Sequence, residues 1–197
     1  KPLSEYISDG DVVLDLGCGT GRLYQLFQNF QGQEGVFYTG IDNSEGQIAM
    51  AKKQFPEASF LVGDMLALPF EDTHFNTIYS IAAFHHLADE KTRLKALEEM
   101  KRVLKPGGQV IMTNWNLSGT FGSKKVAQGQ YTNIGDNNFL VPWKDSDGKN
   151  FGERFYHSFS REEFNTLFVQ AGFEVEKQYY TNKGKESDKA EGENLIS

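Results

Sequence analysis

A glycine-rich loop stands directly after a short apolar run, where it could bind a small ligand. The loop is Asp15-Leu16-Gly17-Cys18-Gly19-Thr20-Gly21, and the apolar run at residues 11–16 leads into it. Glycines let the backbone turn tightly and approach a ligand without a Cβ in the way. The spacing is G-x-G-x-G rather than the G-x-G-x-x-G of dinucleotide sites. Because Asp15 would repel a pyrophosphate, the loop favours a ligand that carries an ammonium and a sulfonium group.

Two further acids extend this constellation. Asp42 follows a second apolar run and could accept hydrogen bonds from both hydroxyls of a ribose. Asp64 follows a third run, where it could accept from an adenine amino group while Met65 packs on the ring. Either acid alone would be interpreted as a solvated loop residue or a helix cap. Together with Asp15 they are predicted to lie at the carboxyl ends of three strands, the edge at which open α/β sheets bind ligands.

The elements that must position these residues alternate between strand and helix. Apolar runs predict strands at 11–16, 36–41, 59–62, 77–81 and 109–113. Helices are predicted at 21–30, at 45–54 with Ser44 as the cap, and at 89–104, which Lys105-Pro106-Gly107-Gly108 ends. Such alternation predicts right-handed crossovers and a mostly parallel sheet with helices on both faces.

The pattern changes after Trp115. Residues 116–158 show no clear period and predict a long loop, which inside a compact domain is usually functional or disordered. Beyond this loop we predict a helix near 160–170 capped by Ser160, a strand near 173–180, a polar turn or mobile segment over 181–193 and a short edge strand at 193–196. The predicted strands then form a seven-stranded sheet.

The composition is that of a soluble globular protein, with 24% charged and 39% hydrophobic residues. The net charge of −7 argues against broad, non-specific nucleic-acid binding without excluding an RNA substrate. Cys18 is the one cysteine, which rules out an internal disulfide and favours a reducing, cytoplasmic setting. We expect no membrane association, since no apolar run approaches the ~20 residues of a membrane span. The chain begins at Lys1 without a signal-peptide pattern and without Met, so we leave its natural start open.

These motifs resemble the class I S-adenosylmethionine (SAM)-dependent methyltransferases. The match includes the glycine loop and Arg102-Val103-Leu104-Lys105-Pro106-Gly107-Gly108, which is similar to the family's R-x-L-K-P-G-G. The resemblance implies one Rossmann-like α/β domain over residues 1–197, with a core at 11–115, a substrate-side insertion or lid at 116–158, and a C-terminal helix and strands at 160–197. It implies SAM as the cofactor, bound at its methionine part by Asp15, Gly17, Gly19 and Gly21, at its ribose by Asp42, at its adenine by Asp64 and Met65, and on its sulfonium side by Ser80 and Ala82.

The acceptor side has two informative stretches. Ala82-Ala83-Phe84-His85-His86-Leu87 follows the fourth predicted strand, and we expect His85 to lie near the site; the alternative is that both histidines are structural. The second stretch contains Val141-Pro142-Trp143 and, further on, Arg154-Phe155-Tyr156-His157-Ser158-Phe159. Its plainest interpretation is an aromatic lid. Aromatic faces can also stack on an unpaired base, and an arginine can bind a carboxylate through two parallel hydrogen bonds.

Both stretches resemble the tRNA wobble-uridine carboxyl methyltransferases, which esterify 5-carboxymethyluridine at the first anticodon position. The resemblance implies that Arg154 and His157 contact the acceptor carboxylate or a phosphate, as catalytic residues together with His85. It implies that Trp143 and Tyr156 shape the base pocket. It also implies tRNA and a small activator protein as candidate partners.

The expected reaction is therefore the O-methylation of a carboxylate. A carboxylate is already an anion at pH 7, so the transfer needs no general base. Two alternatives stay open: a methyltransferase for a small metabolite, with residues 116–158 as its lid, and a non-catalytic SAM-binding scaffold. A metal site at His85, His86 and Asp89 is not expected, because the side chains of adjacent histidines diverge.

Overall fold

The computed structural model describes residues 6–28, 35–144 and 147–197. The chain divides into two compact units, Lys1–Ile81 with Lys95–Met112, and Ala82–Leu94 with Thr113–Ser197. Strands and helices alternate along the first unit, which confirms the predicted α/β class. Across the described ranges, no helix combines the length and the apolar character that spanning a membrane would need.

The first unit is built on parallel strands. Its elements are β1 (Val12–Leu16), α1 (Tyr24–Phe27), β2 (Phe37–Asp42), α2 (Glu45–Gln54), β3 (Ser59–Val62), β4 (Phe75–Ile81), and the larger parts of α3 (Glu90–Val103) and β5 (Leu104–Trp115). The strands are hydrogen-bonded in the order β5-β4-β1-β2-β3, and β2 is parallel to both β1 and β3. Val13 to Leu16 are all buried, as expected for a central strand covered on both faces. The carboxyl ends of β1, β2 and β3 therefore meet at one edge.

The helices of this unit follow their predicted caps, with one exception. The Ser44 hydroxyl accepts the Gln47 N–H at 3.3 Å, and α2 runs over the predicted range. Helix α3 ends at Val103, one residue before the predicted end, and the Lys-Pro-Gly-Gly stretch belongs to the start of β5. The first helix was predicted at 21–30 but covers only Tyr24–Phe27, because residues 21–23 form turns; residues 29 and 30 lie outside the described residues.

The second unit has regular structure where a loop was predicted. The segment 116–158 forms α4 (Thr120–Ala127) and a three-stranded antiparallel sheet of β6 (Thr132–Gly135), β7 (Asn138–Lys144) and β8 (Asn150–His157). The loop prediction is wrong because both strand pairs contain register shifts, which hide the period-2 alternation. A left-handed turn at Asp136 and Asn137 joins β6 to β7.

The C-terminal segment also differs from its prediction in part. Helix α5 (Arg161–Gln170) begins after Ser160, as predicted, but β9 (Tyr179–Asn182) starts well after residue 173. The predicted turn or mobile segment contains β10 (Lys185–Ser187), which is antiparallel to β9. The buried Asn116 side chain anchors this segment by donating to the carbonyls of Lys189 (2.7 Å) and Gly192 (2.8 Å).

The last strand is not at an edge. β11 (Asn194–Ile196) pairs with β9 on one side and with residues 113–115 of β5 on the other. A strand of three residues can be internal when its neighbours supply backbone partners on both sides, which a sequence pattern does not reveal. Within the described residues the sheet has eight strands rather than the predicted seven.

Candidate functional site

The glycine loop is tied to the end of β2 by its backbone. The N–H groups of Gly17 and Cys18 both donate to the Ile41 carbonyl, at 2.8 and 3.0 Å. The N–H of Gly19 donates to Oδ2 of Asp42 at 2.9 Å. The loop conformation is therefore held by the neighbouring strand before any ligand binds.

The glycines of the loop serve different purposes. Gly19 has a left-handed φ of +56°, and no heavy atom lies within 4 Å of the position that a Cβ would take. A Cβ on Gly21 would lie 2.7 Å from the Phe60 ring. Gly19 thus borders open space that a ligand can enter, whereas Gly21 allows close packing of the chain on an aromatic ring.

Asp42 is held at both carboxylate oxygens. Oδ2 accepts the Gly19 N–H, and Oδ1 accepts the Ser44 N–H at 2.9 Å. The side chain is half-buried. Each carboxylate oxygen has two lone pairs, so one on each oxygen is left for a ligand.

Asp15 is buried rather than open to the glycine loop. Its exposed fraction is 2%, and its Oδ2 accepts the Tyr38 hydroxyl at 2.7 Å. Burial raises the pKa of Asp15 to about 7; the Tyr38 hydrogen bond opposes this shift, and the charge of Asp42 adds to it. Asp15 therefore presents no open face to a ligand, and its charge is the property through which it could act on one.

Asp64 is exposed in a turn that Arg102 anchors. Its Oδ1 accepts the Leu66 N–H at 2.9 Å. Arg102 donates to the carbonyls of Leu68 (2.9 Å) and Phe70 (2.8 Å), and Glu99 accepts the Leu68 N–H at 2.8 Å. The Arg102 hydrogen bond, above all, lowers the pKa of Glu99 to about 2. The arginine of the R-V-L-K-P-G-G motif thus positions the turn with Asp64 and the half-buried Met65.

The residues at the end of β4 are buried or strained. Ser80 is fully buried, and within the described ranges its hydroxyl has no hydrogen-bond partner. Ala82 has a left-handed φ of 56°, unusual for a residue with a Cβ, and its N–H donates to the Thr113 carbonyl at 2.9 Å. Strain of this kind is concentrated at functional sites.

In the second unit, His85 is a buried hydrogen-bond acceptor. Its Nδ1 accepts the Trp115 N–H at 3.1 Å, and its exposed fraction is 0%. Burial, and next the charge of His86, lower the pKa of His85 well below its usual value, so the ring is neutral. Because Nδ1 is an acceptor in that neutral ring, Nε2 carries the proton. Within the described part of the chain Nε2–H has no partner.

The two aromatic residues predicted to share a base pocket lie in different surroundings. Tyr156 is buried and stacks on both His85 (ring centroids 4.9 Å apart) and Trp115 (5.1 Å), whose own ring centroids are 6.0 Å apart. Trp143 is 42% exposed, and its ring lies 4.2 Å from Cζ of Arg154. Burial raises the pKa of the Tyr156 hydroxyl, and the nearby Arg154 charge partly offsets this. Arg154 is therefore the residue that contacts both surroundings.

His157 is bound by protein partners at both ring nitrogens. Nδ1 lies 2.6 Å from Oδ1 of Asn138, and Nε2 lies 2.7 Å from Oε1 of Glu163. Arg93 contacts the same Glu163 oxygen at 3.5 Å. Because both ring nitrogens have protein partners, neither is left for the predicted contact with the acceptor carboxylate or a phosphate. The hydrogen bonds of His157 instead hold β8 against α5.

Four residues of these surroundings escaped the sequence prediction: Arg93, Trp115, Phe151 and Glu163. Glu163 could have been found, since Ser160 and Glu163 have the spacing of a capping box, and the Ser160 hydroxyl accepts the Glu163 N–H at 3.1 Å. The others have no local signal. Among the described residues no three histidine, cysteine or acidic side chains are grouped to hold a metal ion.

Comparison with known proteins identifies the family of the chain. A family model described as "Methyltransferase domain" matches residues 13–108. A protein named as a methyltransferase in Encephalitozoon cuniculi is 30% identical over 174 residues, 88% of this chain and 75% of that protein. A tRNA (carboxymethyluridine(34)-5-O)-methyltransferase of Arabidopsis thaliana is 38% identical over 111 residues, 56% of this chain. The match spans only 26% of that relative's length.

Solved structures share the fold. A SAM-dependent methyltransferase from Methanosarcina mazei superposes with a TM-score of 0.75 at 23% identity, over 100% of this chain and 95% of that one. A methyltransferase in complex with the Haloferax volcanii Trm112 methyltransferase activator gives a TM-score of 0.66 at 23% identity, covering 96% of this chain and 82% of that one. The α/β fold with its glycine loop is that of a methyltransferase domain. The chain belongs to the class I SAM-dependent methyltransferases.

Proposed function

We propose that the protein transfers a methyl group from SAM to a carboxylate oxygen, and that the acceptor is the 5-carboxymethyl group of a tRNA wobble uridine. The observation that carries this proposal is the position of Arg154, half-buried beside the Trp143 ring and the Tyr156 hydroxyl. A guanidinium can bind a carboxylate through two parallel hydrogen bonds, and the aromatic faces suit a base. The name of the Arabidopsis relative supports the same acceptor.

The residues that we assign to SAM suit this cofactor, and all of them except Ala82 belong to the first unit. The open space beside Gly19 suits the methionine part, as does the left-handed Gly17, and the remaining lone pairs of Asp42 suit the two ribose hydroxyls. We assign the adenine to Asp64 and Met65. Ser80 and Ala82 are assigned to the sulfonium side, because a buried hydroxyl without a partner and a strained backbone both suit a ligand there. When bound, SAM supplies an electrophilic methyl group on a sulfonium.

The histidines support an acceptor that is already an anion. Neither His85 nor His157 has a lone pair free to remove a proton, since His85 is neutral with its proton on Nε2 and His157 is bound at both nitrogens. In the proposed transfer, a carboxylate oxygen bonds to the methyl carbon while the carbon–sulfur bond breaks and its electron pair stays on sulfur. No proton moves. Arg154 would orient the carboxylate, and His85 Nε2–H would donate to an acceptor oxygen.

An activator protein is a second element of the proposal. β3 is the terminal strand of the sheet, and it exposes 38% of Leu61 and 48% of Val62. An exposed apolar edge strand is a liability unless a partner covers it, and adding a strand to such an edge is a common mode of recognition. The activator named in the Haloferax volcanii complex supports a partner of this kind.

The test is methyl transfer from labelled SAM to bulk tRNA from cells that lack the wobble ester, followed by nucleoside mass analysis. We expect 5-carboxymethyluridine to gain one methyl group as an alkali-labile ester. Label on a small molecule that survives ribonuclease treatment of the extract would support a metabolite methyltransferase instead. Binding of SAM without any transfer, even with cell extract added, would contradict the enzymatic proposal.

A further inference from the structure

Two neighbouring aromatic rings with a cation at either end form a row on the three-stranded sheet, here called the aromatic strip: Lys149, Phe151, Trp143 and Arg154. Nζ of Lys149 lies 5.2 Å from the Phe151 ring centroid, and the Phe151 and Trp143 centroids are 5.1 Å apart. Cζ of Arg154 lies 4.2 Å from the centre of Trp143. Phe151 is 50% exposed and Trp143 is 42% exposed, so both rings offer surface to solvent.

A β-bulge builds the strip. The register pairs Pro142 with Glu153 but Lys144 with Asn150, so β8 has one extra residue opposite Trp143. Gly152 has a left-handed φ of +127°, and its N–H donates to Oδ1 of Asn150 at 3.0 Å. Regular alternation would place Phe151 and Arg154 on opposite faces of β8. The bulge re-aims Phe151 so that both residues contact the Trp143 ring.

The aromatic strip lies on one face of the three-stranded sheet, and the same face is buried at Tyr156. Phe139 pairs with Tyr156 and Val141 pairs with Arg154, which places Tyr156 and Arg154 on the same face of the sheet. The acidic Glu153 belongs to the opposite face. One face thus leads from the buried Tyr156 stack, through Arg154, to the exposed rings.

The chemistry of this face matches unpaired nucleotides. Aromatic rings stack on bases of any identity, and cations beside them attract phosphates. A duplex hides its base faces and cannot use such rings. The overall charge of −7 cannot supply RNA affinity, so a local surface must do so. We propose that the aromatic strip stacks the unpaired nucleotides that flank the acceptor nucleotide, and so selects single-stranded loops. This inference rests on the proposed function and names the part of the RNA that the protein contacts.

The test compares Phe151→Ala with Phe121→Ala in the full chain. Phe121 is a matched control: it is 37% exposed in the same unit, and Nζ of Lys125 lies 5.8 Å from its ring centroid. The probes are an anticodon stem-loop RNA and a fully paired hairpin of equal length. The readouts are the KM for the stem-loop, the SAM affinity and the quenching of tryptophan fluorescence, with Trp143→Phe identifying the signal of Trp143.

We expect Phe151→Ala to raise the KM for the stem-loop about 10-fold and to remove most of the quenching, with SAM affinity unchanged. Phe151→Tyr should restore both, Phe121→Ala should resemble the wild type, and the paired hairpin should not quench. If Phe151→Ala behaves like Phe121→Ala while tRNA is methylated, the inference is overturned and the proposed function stands. If no RNA is methylated but Phe151-dependent quenching occurs, the strip stands and the proposed acceptor fails.

Discussion

The two compact units differ in the kind of contact that they offer to a ligand. In the first unit, backbone N–H groups and a carboxylate are fixed by hydrogen bonds of 2.8 to 3.0 Å around the ends of β1 and β2. In the second unit, rings stack at centroid distances of about 5 Å, and cations lie over them. Hydrogen bonds are directional and define one pose, whereas stacking tolerates many. This difference fits the proposed assignment of the cofactor to the first unit and of a more adaptable acceptor surface to the second.

The largest expected effect concerns Asp42. Replacing it by alanine removes the carboxylate that holds the Gly19 N–H and is assigned to the ribose, and hydrogen bonds to charged groups contribute about 1.5–3 kcal/mol each. We expect the Kd for SAM to rise about 1,000-fold, measured by calorimetric titration. Glu45→Ala, at an exposed acid nearby, is the control. Loss of RNA binding in Asp42→Ala would contradict the assignment of the cofactor to the first unit and of the RNA to the second.

Arg154→Ala tests the acceptor side of the comparison. Loss of a bidentate contact to the carboxylate should lower kcat/KM about 100-fold, with SAM affinity unchanged. Arg154→Lys keeps the charge but not the two parallel hydrogen bonds, so its kcat/KM should lie between those of the wild type and Arg154→Ala. Arg161→Ala serves as a control for the loss of a positive charge in the same unit. Normal turnover of Arg154→Ala would exclude the function that we propose for this residue.

Asp15→Asn tests the first unit through the pH dependence of its free energy of unfolding. The pKa of Asp15 is raised from 3.8 to about 7, so the folded state prefers the protonated acid. Stability from this group is fully present below pH 3.8 and is lost as the pH rises through about 7. The variant should therefore gain about 2 kcal/mol in free energy of unfolding above pH 7 and little at pH 4. Urea unfolding at both pH values measures this.

The same substitution should alter SAM binding. An ionised Asp15 attracts the cationic cofactor, so wild-type affinity should increase as the pH rises through about 7. Asp15→Asn should bind more weakly and with a flat pH profile. A wild-type profile that is flat over this range would show that Asp15 does not act through its charge.

The smallest expected effect concerns the network around Glu163. Burial raises its pKa, but the His157 hydrogen bond and the charges of His157 and Arg93 outweigh burial, so the pKa is lowered overall. The stabilisation is present above its usual value of 4.5 and is lost as the pH falls through the folded pKa. Glu163→Gln should lower the free energy of unfolding by about 1 kcal/mol at pH 7, with the difference shrinking in acid.

Methyl-transfer activity distinguishes a structural function of the His157–Glu163 pair from a function in the reaction. Because His157 and Glu163 hold β8 against α5, Glu163→Gln should keep turnover within about 3-fold of the wild type, a change of less than 1 kcal/mol. Glu162→Gln, at the neighbouring exposed acid, is the matched control. A large fall in turnover without loss of stability would instead place this network in the acceptor chemistry.

The sequence alone determined the α/β alternation, the helix caps at Ser44 and Ser160, and the family to which the chain belongs. These features are local: a cap acts over three residues, and the glycine loop is one contiguous motif between β1 and α1. The carboxyl ends of parallel strands meet at one edge whatever lies further along the chain, which is why Asp42 and the loop are in contact.

Only the tertiary structure decided how the acceptor side is arranged. The bulge at Gly152, the separation of Trp143 from Tyr156 and the internal position of β11 all depend on strand register. His157 lost its predicted acceptor contact because Asn138 and Glu163, on β7 and α5, occupy its two nitrogens. Register and burial arise from contacts between distant segments, and a one-residue shift moves a side chain to the other face of a sheet. No local pattern could therefore supply them.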